Sequence, residues 1–291
     1  MITIQSHGKT ILTGEHAVIR GAPAVVIPNH HQALTIRFDA SKPFKLTCHD
    51  DMTLKIFESH LPELWQMGQT FLGQAPKALV GEVWIENTVP IARGCGFSAA
   101  FSVVVAKLLH HVYHLTPNTE SLFKLSLHFE MHFHGSSSGA DIAGAMSTQP
   151  IWFQDKKIQP IQCHHKGYFY LFDSDQISHT KKCVSQVSNM NDLRIDDEMS
   201  LASGLMIKGL ENTNYSLELI AQSIHMADAC FQQWGLITPE IKAIQDKIKV
   251  LGGIASKVTG AGGGGYVLGF FEHLLANQAS LDAQLLTINS E

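Results

Sequence analysis

The chain has 291 residues, a formal net charge of −5, and 45% hydrophobic against 16% charged residues. That length suggests about two domains, and the composition suits a globular chain with a sizeable core. The acidic balance speaks against a general nucleic-acid binder, which needs a basic face, but not against a phosphorylated small molecule, for which a few local cations suffice.

Five cysteines, Cys48, Cys95, Cys163, Cys183 and Cys230, stand far apart with no Cys-x-x-Cys, as expected of free thiols in a reducing, cytoplasmic setting. The first residues show no basic stretch followed by an apolar one, so no signal peptide is expected. No run reaches the roughly 18 apolar residues of a spanning helix. Neither nucleic acid nor a membrane is therefore expected as a partner, while a homodimer is compatible with the composition. The 17 histidines include a cluster at His128, His132 and His134, but no His-Glu-x-x-His or paired cysteines accompany it. They read as surface and packing groups rather than a zinc site.

In chain order, residues 2–38 read as strands, with β-branched runs at 24–28 and 32–38, and 52–57 has a similar composition. Residues 60–75 read as a helix and 82–87 as an alternating strand. Pro90 ends that element, and a buried helix follows from Ser98 to His114. A second helix spans 119–134, with Thr119 as its cap. Residues 135–141 form a Ser/Gly loop before a small-residue helix at 142–146. A strand at 167–174 precedes helices at 216–234 and from Pro239 to about Leu251. Apolar strand-like runs flank the glycines at 260–265, and 284–290 reads as a closing strand. The irregular mixture favours α+β over a doubly wound parallel sheet. A change of texture near 150–165 puts the domains at 1–155 and 156–291.

Three loops suit a phosphate. Residues 8–21, GKTILTGEHAVIRG, are no Walker loop, and alone read as a hairpin turning at Thr13-Gly14. Lys9, Glu15 and His16 around one turn are nevertheless well placed to meet a ligand. Gly94-Cys95-Gly96-Phe97-Ser98-Ala99 matches Gly-x-Gly-x-x-Ala, yet the position about 20 residues on lacks the acidic strand end that a dinucleotide needs. The helix N-terminus still binds anions, and Ser98 adds a hydroxyl for phosphate or magnesium. The Gly/Ala run at 260–265 sits between strands, which favours close backbone approach to a ligand or to the first glycine loop over a linker. Glu130, late in its helix, and Asp141, beyond the Ser/Gly loop, read either as a solvated residue and a helix cap or as the carboxylates of a phosphotransferase. In the second reading one holds the metal, the other takes the alcohol proton, and a lysine steadies the developing charge.

Together, GKTILTGEHAVIRGAPAVVIP, PIARGCGFSAA, HGSSSGAD and KVTGAGGGGYV resemble the GHMP small-molecule kinases over residues 8 to about 268. The resemblance implies a two-domain α+β GHMP kinase fold with the active site in the interdomain cleft, ATP and Mg2+ as cofactors, and a small-molecule alcohol as substrate. Mevalonate is the expected acceptor; phosphomevalonate, another family acceptor, or a non-catalytic nucleotide binder are the alternatives. By similarity, Asp141 is the base and Lys9 steadies the alkoxide. Ser98 and Glu130 hold magnesium, and His16 and Glu15 meet the substrate. Pro90, Arg93, Gly94, Cys95, Gly96, Phe97, Ser98 and Ala99 wrap the nucleotide, backed by Gly262 and Gly263. Phe97 stands where the family usually has the first of two serines, and Ser136-Ser137-Ser138 lacks the proline common before Ser-Gly.

Overall fold

The computed structural model describes residues 1–190, 192–276 and 281–288. Two long strands open the chain, β1 (Ile2–Thr13) and β2 (Ala24–Asp39), and they pair with each other. The chain forms two compact units. One comprises Met1–Gly8, His30–Pro90 and Gly96–Met146; the other comprises Lys9–Asn29, Ile91–Cys95 and the chain from Ser147 onward. The units thus differ from the contiguous halves 1–155 and 156–291 that composition suggests. Both β1 and β2 change unit along their own length, and a boundary drawn from composition has no means of seeing a strand shared in this way.

In the first unit, Leu34–Asp39 of β2 pairs antiparallel with β4 (Glu82–Asn87), which pairs parallel with β3 (Lys45–Cys48). Leu34, Ile36 and Phe38 alternate inward along β2, the period-two signature of a half-buried strand. Helix α1 (Asp51–Phe71) replaces the strand expected at 52–57. The Asp50 carboxylate caps the helix by accepting the Met52 and Thr53 amides, and Thr53, Phe57, Leu61 and Leu64 repeat inward at helical spacing. The cap and the following two turns outweigh the local β-like composition.

Helix α2 (Phe97–Val112) is buried without a break from Ala99 to Ala106, which makes it the central element of this unit. Helix α1 meets it so closely that a methyl on Gly68 would lie 2.3 Å from the Leu109 side chain and 2.8 Å from Phe129. Helix α3 (Thr119–His134) has the expected bounds. Asn118, not Thr119, is the cap, in a reciprocal box with Ser121. Helix α4 (Ala140–Met146) closes the unit.

In the second unit, Ala24–Val26 of β2 pairs with β5 (Ile151–Gln154), which forms a hairpin with β6 (Lys157–Pro160). A four-stranded antiparallel sheet follows, built from β7 (Tyr168–Asp173), β8 (Ala255–Val258), β9 (Tyr266–Phe271) and β10 (Ala283–Leu286) in the order β10-β7-β9-β8. Phe169 and Leu171 belong to one apolar cluster, and Tyr170 and Phe172 to another. Burial on both faces explains the unbroken apolar run of β7.

Four helices accompany this sheet: α5 (Thr180–Met190), α6 (Leu193–Glu211), α7 (Ser216–Gln233) and α8 (Pro239–Val250). The first two have no counterpart in the sequence reading. Helix α5 buries only Cys183 and Val187, one turn apart, on an otherwise polar segment, so its apolar period is too short to recognise. No described helix is long and apolar enough to cross a membrane.

Candidate active site

In the first unit, Gly96 caps α2 at φ 81°, a backbone setting that suits glycine, and no side chain caps the helix. First-turn amides left in this way at a helix N-terminus form an anion site. Ser98, the second helical residue, donates its hydroxyl to Glu130 Oε1 at 2.9 Å, and Ser102 reaches Glu130 Oε2 at 3.4 Å. Glu130 is only 2% exposed, so its carboxylate is held rather than solvated. His134, read from the sequence as a surface or packing histidine, stands one helical turn beyond Glu130 on the same face of α3. Its Nε2 lies 3.1 Å from Ser98 Oγ and 3.3 Å from Glu130 Oε1. The Glu-x-x-x-His spacing is the signal that could have found it.

Asp141 is the second residue of α4, at its N-terminal end and half-buried. The turn before it is built by hydroxyls: Ser137 accepts the Gly139 amide and Ser138 the Ala140 amide, both at 3.2 Å. Phe97 does not offer its ring to a ligand. The ring is 8% exposed and lies parallel to Phe101 at 6.4 Å, so Phe97 supports the helix from the core and retains only its backbone for a nucleotide. Ala99, fully buried, is in the same position, and Pro90 is half-buried at the end of the preceding segment.

In the second unit, Lys9 is 2% exposed. Its ammonium donates to the Gly94 carbonyl at 3.1 Å, and its amide to the Cys95 carbonyl at 2.9 Å, fastening β1 to the 91–95 loop. Arg93, expected on the nucleotide, pairs with Asp173 at 2.5 Å. The expected approach of the two glycine loops is present: a methyl on Gly260 would come within 3.7 Å of Gly94, and one on Gly265 within 3.0 Å of the Arg93 carbonyl. Gly262 and Gly263 are gripped from behind. The Gly262 carbonyl accepts the Ser178 hydroxyl at 2.8 Å, and the Gly263 amide donates to Leu236 at 3.0 Å.

His16 occupies an unusual backbone setting, φ 58° and ψ −51°, while the Ala17 amide donates to the Glu15 carbonyl at 2.6 Å. That is a γ-turn of the rare, strained hand, and strain at a non-glycine residue marks sites where the surroundings enforce geometry. The imidazole sits between Phe231 and Trp234, with ring centroids at 5.8 and 5.2 Å. Its Nε2 faces the Ala261 carbonyl at 2.9 Å. A carbonyl only accepts, so this contact assigns the proton to Nε2 and leaves Nδ1 as an acceptor. Burial pushes the ring's pKa down to about 4, so His16 is neutral at physiological pH.

Glu15 does not face outward as a substrate ligand would. It is 2% exposed and receives the Lys257 ammonium, itself fully buried, on Oε1. Lys257 also lies over the Phe231 ring at 5.1 Å. The sequence reading assigned Lys257 no role; a lysine inside an apolar strand run is the signal it carried.

The GHMP kinase N-terminal domain model matches residues 64–149 and the C-terminal domain model residues 206–283. The chain belongs to the GHMP kinase family. It is similar to a mevalonate kinase from Archaeoglobus fulgidus, 26% identical over 91% of this chain and 90% of the relative. Among solved structures it resembles L. major mevalonate kinase in complex with R-mevalonate, with a TM-score of 0.77 at 20% identity over 97% of this chain and 90% of that one. It also resembles Streptococcus pneumoniae phosphomevalonate kinase in complex with phosphomevalonate and AMPPNP, with a TM-score of 0.80 at 17% identity over 99% of both chains. The protein is therefore a small-molecule kinase of this family, similar in sequence to mevalonate kinases.

Proposed function

We propose that the protein transfers the γ-phosphoryl group of ATP to the primary alcohol of mevalonate, giving 5-phosphomevalonate and ADP. The observation that carries this reading is the Ser98–Glu130 pair, 2.9 Å apart at the N-terminus of α2, where no side chain caps the helix. One hydroxyl and one carboxylate are oxygen donors that fit magnesium, an ion usually held by one or two carboxylates together with substrate phosphates. When bound, magnesium neutralises charge on the transferring phosphoryl group.

Each remaining role belongs to a named group. The backbone of Gly94–Ala99 receives the nucleotide phosphates, with Pro90 and Arg93 shaping that loop and Gly262 and Gly263 backing it. Asp141 accepts the proton of the attacking alcohol. The Lys9 ammonium offsets the negative charge that grows on the alkoxide oxygen. His16, neutral and held by its aromatic neighbours, offers Nδ1 to a polar group of the acceptor.

Charge supports mevalonate over a phosphorylated acceptor. A second phosphate brings about two further negative charges, whose desolvation requires cations. Arg93 is paired with Asp173, Lys257 with Glu15, and the Lys9 ammonium bonds to Gly94. Lys181 and Lys182 are exposed on α5. An ADP-release assay with mevalonate, phosphomevalonate, homoserine and galactose tests the proposal. Mevalonate should be preferred over phosphomevalonate at least tenfold in kcat/KM, about 1.4 kcal/mol. A preference for phosphomevalonate would refute the acceptor and leave the family standing. ATP binding without turnover of any acceptor would favour a nucleotide-binding protein that lacks catalysis.

A further inference from the structure

Three donor atoms converge at the N-terminus of α2: Ser98 Oγ, Glu130 Oε1 and His134 Nε2. Their separations are 2.9, 3.1 and 3.3 Å. Neighbouring ligands of an octahedral ion with bonds of about 2.1 Å lie about 3.0 Å apart. The three separations therefore match the edges of one triangular face of such an octahedron.

Among the described residues no three His, Cys, Asp or Glu side chains cluster as a metal site. The tripod differs from such a cluster because one of its corners is a hydroxyl, so it needs the nucleotide to complete it. The backbone secures two of the corners. Glu130 and His134 are four residues apart at the end of α3 and share a helix face, with Glu130 at 3% side-chain exposure and His134 at 35%.

We propose that His134 is a third protein ligand of the nucleotide-bound metal and gives this kinase a preference for first-row transition ions over magnesium. The inference rests on the kinase reading above. Magnesium takes oxygen ligands, whereas imidazole nitrogen suits the borderline ions from manganese to zinc. A site of two oxygens and one nitrogen leaves magnesium usable and favours Co2+ and Mn2+. The step involves no redox change: without a metal, Nε2–H is the atom that faces Glu130 and Ser98, and on metal binding the ring shifts its proton to Nδ1 and gives the Nε2 lone pair to the ion.

The test uses the full chain with AMPPNP. Pulsed electron paramagnetic resonance of the Mn2+–AMPPNP complex should show coupling to a histidine nitrogen, and [15N]histidine labelling of the unmodified protein should change it. His134→Ala should abolish that coupling and lower Co2+ affinity by roughly tenfold or more, the loss typical when support for a metal ligand is removed. Mg2+ affinity should change less than about threefold. The labelled unmodified protein decides the question even if the variant fails to fold. Absence of nitrogen coupling in a complex that does bind Mn2+–AMPPNP overturns the inference and leaves the kinase reading intact. Failure of the unmodified protein to bind Mg2+–AMPPNP overturns both.

Discussion

Replacing Lys257 by methionine should be among the most destabilising single changes in the second unit. Lys257 is fully buried, Glu15 is 2% exposed, and the ammonium sits on Glu15 Oε1. The second carboxylate oxygen, Oε2, is buried with no hydrogen-bond partner. Removing the ammonium leaves an uncompensated buried charge, which costs about 3–5 kcal/mol. Removing both charges, as in Glu15→Leu/Lys257→Met, should restore most of that loss, because apolar replacements of a buried pair are often neutral or better.

The pH dependence carries a second signature. Burial raises the Glu15 pKa above its ordinary 4.5, and Lys257 opposes that rise. Without the lysine the carboxyl is driven to take up a proton. A folded state that binds the proton more tightly gains stability, relative to wild type, as the pH falls toward 4.5. The penalty for Lys257→Met should therefore shrink between pH 7 and pH 5. Urea unfolding followed by tryptophan fluorescence at several pH values measures all of this. A penalty below about 1 kcal/mol, or a double variant whose loss is the sum of the two single losses, would refute the reading of a desolvated, mutually dependent pair.

Further outcomes follow from the same geometry. His16 has its pKa lowered by burial from 6.5 to about 4, so the unfolded chain takes up its proton first as the pH falls. Its contribution is complete above pH 6.5 and is lost toward pH 4, on the order of 3 kcal/mol; denaturation of His16→Asn across this window should show a correspondingly flatter profile. Asn tolerates positive φ, so the backbone should survive the change. Phe97→Ser removes a buried ring parallel to Phe101 and should cost about 3 kcal/mol or more, lowering the melting temperature by several degrees. An unchanged melting temperature would show the ring facing solvent. Glu130→Gln should weaken magnesium-dependent nucleotide use with partial rescue at higher magnesium, whereas Asp141→Asn should lower kcat by about 100-fold or more while sparing nucleotide affinity. Steady-state kinetics and nucleotide titration separate the two, and equal, mild losses would contradict the division of roles.

Local pattern by itself determined a good deal. The Gly-x-Gly turn into a hydroxyl-bearing apolar helix is a near-neighbour feature, and α2 begins there with Ser98 at its second position. The glycine run between apolar strands implied close backbone approach, and Gly260 does approach Gly94. Glu130 and Asp141 fell on a helix and a loop-helix junction for the same reason: helical period and turn chemistry act over a few residues.

What remained was decided by pairings that no local window contains. Glu15 looked like a ligand because it adjoins His16, but a lysine 242 positions away claims it. Arg93 sits in the glycine loop, and its pairing with Asp173, 80 positions away at the end of β7, is likewise outside any local window. The direction of the Phe97 ring and the convergence of His134 on Ser98 depend on how α2 and α3 meet. A charged or aromatic side chain takes its role from whichever partner desolvates it, and chain neighbours set only where its backbone stands; the partner arrives when distant segments pack.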